Sequence, residues 1–251
     1  MEPATAPPLL IGATLRQGFE VFARAPGAFI AFTLIGAVSQ LISQALQNRA
    51  TAELASQSEP IVAFVALALL GLLWSVVSTL WFNVGLIRGA WLALSGHPPR
   101  LADLVRVDGA AMRRLLAVWL LLLLVFVLIL SSTALIAGLV SLVSARLALL
   151  PLIAGAAIFV AVWSGQLIQL PTTVIGQQGA LATFRCGQGL LAAQGWRLLV
   201  LALAMAGILA LGLLALGVGL LVAVPVVGCC QAVAYRQLRD LESAVAARPQ
   251  R

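Results

Sequence analysis

The sequence predicts an all-α polytopic membrane protein with six transmembrane helices, and three observations carry that prediction. Hydrophobic residues make up 62% of the chain and charged residues only 9%. A soluble domain carries roughly a quarter charged residues, so this chain has too few to cover a water-facing surface. The apolar residues run on in long stretches, such as 115–143 and 198–224. A helix needs about 20 such residues to cross the ~30 Å hydrocarbon core. The stretches also lack the in-out alternation of barrel strands, and only helices and closed barrels satisfy their backbone in lipid.

The spans fall over 27–47, 61–87, 115–143, 147–175, 198–216 and 219–236. Arginines orient them. All fifteen basic residues are Arg, against eight acids, for a net charge of +7. Arg16 and Arg24 precede the first span; Arg88, Arg100, Arg106, Arg113 and Arg114 separate the second from the third. Arg185 and Arg197 lie between the fourth and fifth, and Arg236, Arg239, Arg248 and Arg251 follow the sixth. Only Arg49 and Arg146 fall on the other side. The positive-inside rule therefore places both termini in the cytoplasm.

The last two spans are separated by the same logic. No charge lies between Arg197 and Arg236, and one helix of that length would overrun the bilayer by about 25 Å. Two spans turning near Gly217-Val218-Gly219 keep the final arginines inside. The positive charge flanks spans, so topology and anionic lipid account for it and nucleic acid is not expected as a partner. An Ala, Leu, Gly and Arg bias also fits a GC-rich genome. Cys186, Cys229 and Cys230 form no Cys-x-x-Cys pair and lie toward the cytoplasmic side, where a structural disulfide is not expected. Residues 1–12 show no basic region followed by an apolar core, so no cleavable leader is expected. The whole chain, 1–251, reads as one integral membrane domain, with tails at 1–12 and 247–251 around a helical body at 13–246.

Three shorter segments on the inner side are predicted as interfacial helices. In Thr14 to Ala25, Leu15, Phe19 and Phe22 share one face, Arg16, Glu20 and Arg24 another, and Pro26 follows. Leu101 to Arg114 and Ala180 to Gly195 are the others. Trp91, Trp196 and Tyr235 stand at inner span ends, as an aromatic belt places them. Together these suggest three repeats of a short helix followed by a helical hairpin. Ala13-Thr14-Leu15-Arg16-Gln17-Gly18 matches Ala182-Thr183-Phe184-Arg185-Cys186-Gly187 in four positions of six, and both precede a span from the same side.

The chain resembles the uncharacterised six-span bacterial membrane proteins related to the membrane domain of some glycerophosphodiester phosphodiesterases. The resemblance is carried by the Ala13-to-Phe22 opening, by the segment from Gly85 through Arg88, His97 and Arg100 to Leu104, by Pro171 to Ala180 with Phe184-Arg185-Cys186 and Gly195-Trp196, and by the closing Ala232-Val-Ala-Tyr-Arg-Gln-Leu238. Two departures stand out: the family has an acid where Gln177-Gln178 stand and a Ser where Cys186 stands. The catalytic barrel of those phosphodiesterases is a separate domain, so the resemblance implies the fold and no activity.

Residues for chemistry are sparse. His97 is the one histidine, in a turn beside Pro98-Pro99, and a metal site needs three or four converging ligands. No cofactor is expected, and no Asp, Glu, His or Arg lies deep inside a predicted span, which argues against a proton-driven pump. Uncharged polar residues remain. Ser75, Ser78, Thr79 and Asn83 form a stripe on span two; Ser39, Gln40, Ser43, Gln44 and Gln47 lie on span one; Ser164, Gln166, Gln169, Thr172 and Thr173 lie on span four. These either pack helices through hydrogen bonds or line a polar path. Arg88, Arg100, Arg106, Arg113 and Arg114 are candidate contacts for anionic lipid headgroups. The expected function is a non-enzymatic accessory, scaffold or lipid-associated membrane protein; the alternative is a facilitator for a small uncharged or amphiphilic solute. Membrane lipids are the expected partner, with a membrane-protein partner or a second copy of the chain also open.

Overall fold

The computed structural model describes residues 9–56, 61–144, 146–215 and 217–246. Arg248 and Arg251 and both terminal tails, apart from residues 9–12, lie outside them. The described chain is all helix, without strands. In order the helices are α1 (Ile11–Ala23), α2 (Pro26–Ser56), α3 (Ile61–Leu94), α4 (Leu101–Val105), α5 (Gly109–Ser141), α6 (Leu149–Gly165), α7 (Gln169–Val174), α8 (Ala180–Leu214) and α9 (Leu220–Ala246). Five contain stretches long and apolar enough to cross a membrane: Pro26–Ala52, Phe64–Leu94, Gly109–Ser141, Ala180–Leu214 and Leu220–Asp240. This is a multi-pass, membrane-embedded protein.

Local chemistry explains the helix ends. Pro26 opens α2 at a first-turn position where its missing N–H is no loss. Gly96, at φ +86°, ends α3: His97 N–H donates to Leu92 and Gly96 N–H to Ala93, satisfying the last carbonyls. The segment from Arg88 to Arg114 is therefore not a loop. No helix breaker precedes Gly96, so Arg88 rides two turns inside α3, and α4 and the start of α5 occupy much of the rest. Asp103 accepts from Arg100 N–H at 2.9 Å before α4, and Asp108 from Ala111 N–H at 3.0 Å before α5. Gly217, at φ +77°, makes the α8–α9 turn where the sequence placed it.

The expected fourth span, 147–175, is interrupted. α6 has 17 residues, about 25 Å, and a break at 166–168 separates it from the six-residue α7. Pro171 is the cause, because it has no N–H to give the Leu167 carbonyl and its ring crowds that oxygen. α8 is bent too: Gln194 leaves helical geometry (φ −143°, ψ 31°), at the boundary expected between a short segment and a span. Gly195 follows it, and the Gln194 side chain accepts from Leu9 N–H at 2.9 Å.

α2 pairs with α3, α5 with α6 and α8 with α9. The short segments pack on these pairs through glycines, which let helices approach closely. α1 lies on α9, where a Cβ at Gly18 would stand 3.1 Å from Cys230 Cα. α4 lies on α3, where a Cβ at Gly89 would stand 2.9 Å from Leu104 Cγ. The first half of α8 lies on the end of α6, where a Cβ at Gly187 would stand 2.6 Å from the Gly165 carbonyl oxygen. On α1, Phe19 is half exposed, and the buried stripe is Thr14, Gly18 and Val21. Thr14 and Gly18 set the close approach, and Ile11, Leu15, Val21 and Phe22 pack beside them. The core around α1, α2, α3, α4 and α9 holds Val21, Phe29, Phe32, Leu86, Leu104 and Val233. A second joins Leu198, Leu201 and Met205 of α8 to Val226 and Cys230 of α9.

Candidate functional site

Three groups of polar residues stand out, and the chain uses each differently. The first is the inner arginine set. Arg88 Nε donates to the Asp103 carbonyl at 3.0 Å, and its Nη2 donates to Leu104 at 3.4 Å and to Arg106. It clamps the end of α4 to α3. Arg24 donates to the Ala93 carbonyl and Arg236 to Leu94 at 3.3 Å, so two further arginines close the end of α3, where a helix carries partial negative charge. Arg100, Arg106 and Arg113 are exposed, and their side chains bond to none of the described residues. Arg114 is half-buried, with Nε buried and unpartnered. The five candidates thus divide, Arg88 holding backbone and the others leaving their charge available.

The second group is the stripe on α3. Gln40 of α2 reaches across: its Nε2 donates to Thr79 Oγ1 at 2.6 Å and Ser78 Oγ at 3.3 Å, and its Oε1 accepts from Ser75 Oγ at 3.4 Å. Asn83 Nδ2 donates to the Thr79 carbonyl at 2.8 Å. Further out, Ser43 Oγ donates to the Gly71 carbonyl at 2.8 Å and Trp74 Nε1 to Ser39 at 3.1 Å. Gln40 is the residue that turns a sequence stripe into a network. Its helical spacing with Ser43, Gln44 and Gln47 was visible, but its partner was not. Below the network, Thr33, Gly36, Thr79 and Asn83 line a cavity of about 510 Å³ with the Gly217 turn.

The third group is the break between α6 and α7. Gln166, 4% exposed, donates from Nε2 to the Phe184 carbonyl at 3.4 Å. Its Oε1, and Oε1 of Gln169, are buried without a partner among the described residues. Thr172 and Thr173 are satisfied, donating to Ile168 and Gln169 carbonyls at 2.7 Å each. Gln166 and Gln169 line a groove of about 380 Å³ with Gln231 of α9 and with Trp119, Phe126 and Trp163 of the α5–α6 pair. Among the described residues no charged residue lines it. The break was hinted at by Pro171, while the facing aromatic wall came from a helix fifty residues earlier.

His97 is exposed in its turn, and among the described residues no three His, Cys, Asp or Glu side chains stand close enough to hold a metal. Among the described residues Cys186, Cys229 and Cys230 form no disulfide, and the last two are buried in α9. Fold and polar groups together define a helical multi-pass membrane protein. Comparison with protein-family models, curated proteins and solved structures returned no match, and nothing in them links the chain to the membrane domain of glycerophosphodiester phosphodiesterases.

Proposed function

We propose that the protein is a non-enzymatic, lipid-associated accessory or scaffold of the bacterial cytoplasmic membrane, crossing six times with both termini inside. The observation that carries this reading is where the polar groups go. The polar stripe that would line a pathway is bonded to Gln40 of the neighbouring helix, while the unpartnered glutamine oxygens belong to residues of the groove between the α5–α6 pair, α7 and α9. Interior polarity that pairs with itself holds helices together. Polarity left open in a groove offers itself to lipid.

The six crossings are supported by the arginine distribution, which demands an even number, and by α6 and α7 together. From 149 to 174 they extend far enough to cross, with the break as an irregularity of the kind packed helices tolerate. A threefold arrangement is supported by the short segments. Each leans on the second helix of a preceding hairpin: α4 on α3, the start of α8 on α6, and α1 on α9, which closes the ring. Thr14 and Thr183 are both buried, and Gly18 and Gly187 both mark a close crossing. The hexapeptides that match in sequence therefore match in setting. A facilitator is the second reading, favoured by the cavity at Thr79, Asn83 and Gly217.

Purification in mild detergent followed by native mass spectrometry tests the proposal. Retained phospholipid is the expected result, with reporters at Arg251 and within 51–58 indicating opposite compartments. Protein-dependent flux of a small uncharged solute into proteoliposomes would overturn it in favour of the facilitator. Reporters on the same side would remove the six-crossing topology.

A further inference from the structure

We infer that the groove at the α6–α7 break is a binding site for an uncharged amphiphile with a hydroxyl-bearing polar end and one alkyl chain. This deepens the lipid-associated reading and rests on it. Two buried carboxamide oxygens, on Gln166 and Gln169, lack a hydrogen-bond donor among the described residues. An orphaned acceptor in an apolar setting is costly, and apolar surroundings are where chains avoid it. Both belong to residues lining the groove, and Gln166 is only 4% exposed. What is missing is a donor, and a hydroxyl supplies one without charge.

The remaining lining sets the ligand class. Trp119, Phe126 and Trp163 form an aromatic wall, and among the described residues no Arg, Asp, Glu or His lines the groove. A phosphate or carboxylate headgroup would enter without a counter-charge and face carboxamide oxygens, so an anion is disfavoured. A volume of about 380 Å³ is small for a ligand pocket, which suits one chain rather than two. The oxygens are shielded by their neighbours, but the terminal torsion of Gln is broad, so a small rotation presents them to an arriving hydroxyl. Gln169 makes no competing side-chain hydrogen bond to the described residues, and the one bond of Gln166, at 3.4 Å, is long. Trp119 lies ten residues into α5, about 15 Å along it, which in the six-crossing topology is within hydrocarbon depth. There the hydroxyl has few other partners and a strong reason to enter.

The test uses full-length protein in nanodiscs with hexadecane-1,2-diol and, as the matched probe without donors, its dimethyl ether. Wild type is expected to bind the diol in preference to the ether. Gln166→Met with Gln169→Met keeps side-chain length and removes the acceptors; it should lower diol binding about fivefold, which is ~1 kcal/mol, and leave ether binding unchanged. Because the substitution removes orphaned polar atoms, the thermal midpoint should hold or rise, whereas glutamines kept for packing would lower it. Leu123→Trp fills the groove from its exposed rim without touching either glutamine and should also lower diol binding. Equal binding of diol and ether, or undiminished preference in the variants, would overturn the site while retained phospholipid left the broader reading standing. Loss of all lipid from wild type would sink that reading itself.

Discussion

Arg88 Nε stands 3.0 Å from the Asp103 carbonyl oxygen and donates to it, so a charge expected at the membrane surface holds one helix to another. Hydrogen bonds from a charged donor contribute about 1.5–3 kcal/mol, and a planar guanidinium reaches several carbonyls that an ammonium cannot. Arg88→Gln should lower stability by about 2 kcal/mol, Arg88→Lys should restore only part of it, and anionic lipid retention should stay as in wild type. Thermal unfolding with native mass spectrometry reads both. Lost lipid at unchanged stability would make Arg88 a headgroup contact instead.

Gly187 and Gly189 lie on the same helix and should respond in opposite ways. A Cβ at Gly187 would meet the Gly165 carbonyl oxygen at 2.6 Å and Gln166 Nε2 at 2.5 Å, and backbone does not yield readily. Gly187→Ala should therefore destabilise by about 1–3 kcal/mol through overpacking. A Cβ at Gly189 would meet nothing within 4 Å. Gly189→Ala should gain up to about 1 kcal/mol of helix propensity. Matching thermal midpoints for the two variants would mean that the α6–α8 crossing is looser than its geometry.

The parts of the fold legible in the sequence are those that depend on local composition. The apolar runs and the arginine asymmetry mark the long helices, Gly217 marks the α8–α9 turn, and Gln194-Gly195 marks the bend of α8. Pro171 signals an interruption of the fourth span, but the residues around it are apolar enough that the span bounds run straight through 166–168. The close approach of α1 to α9 was missed because Thr14 and Gly18 score as weakly apolar, yet membrane helices associate through small residues. Its signal was present in the match of 13–18 to 182–187. At the site, Gln166 and Gln169 were visible as polar positions. Trp119 and Gln231, which make them a groove, depend on which helices stand opposite, and spacing along one chain does not encode that directly.

The Gln40 network predicts mild and graded losses. Interhelical hydrogen bonds in membrane proteins average about 0.6 kcal/mol, because the unfolded chain finds partners too. Thr79→Val should lose about that much. Gln40→Leu, which removes the hub for Ser75, Ser78 and Thr79, should lose more. A double variant should lose less than the sum of the two single variants, since both delete the Gln40–Thr79 bond. Cysteines placed at 75, 78 and 79 should resist water-soluble thiol reagents in intact membranes. Ready modification at all three would turn the network into the wall of a solute path.

Arg113 and Arg114 offer the clearest separation of headgroup binding from topology. Arg113 is exposed without a side-chain partner among the described residues, and Arg114 Nε is buried without one. Both sit in the opening turns of α5, where nearby carbonyls are already taken by the helix itself. A basic residue near an anionic leaflet contributes about 1 kcal/mol, which a pair of lipid phosphates would realise together. Eleven other arginines remain on the inner side to hold orientation in the six-crossing topology. Arg113→Gln with Arg114→Gln should therefore keep the reporter pattern while anionic lipid retained after purification falls several-fold. Hexadecane-1,2-diol, whose site is the α6–α7 groove, should be retained as before. Should anionic lipid stay at the wild-type level, the two arginines orient the chain and bind no headgroup.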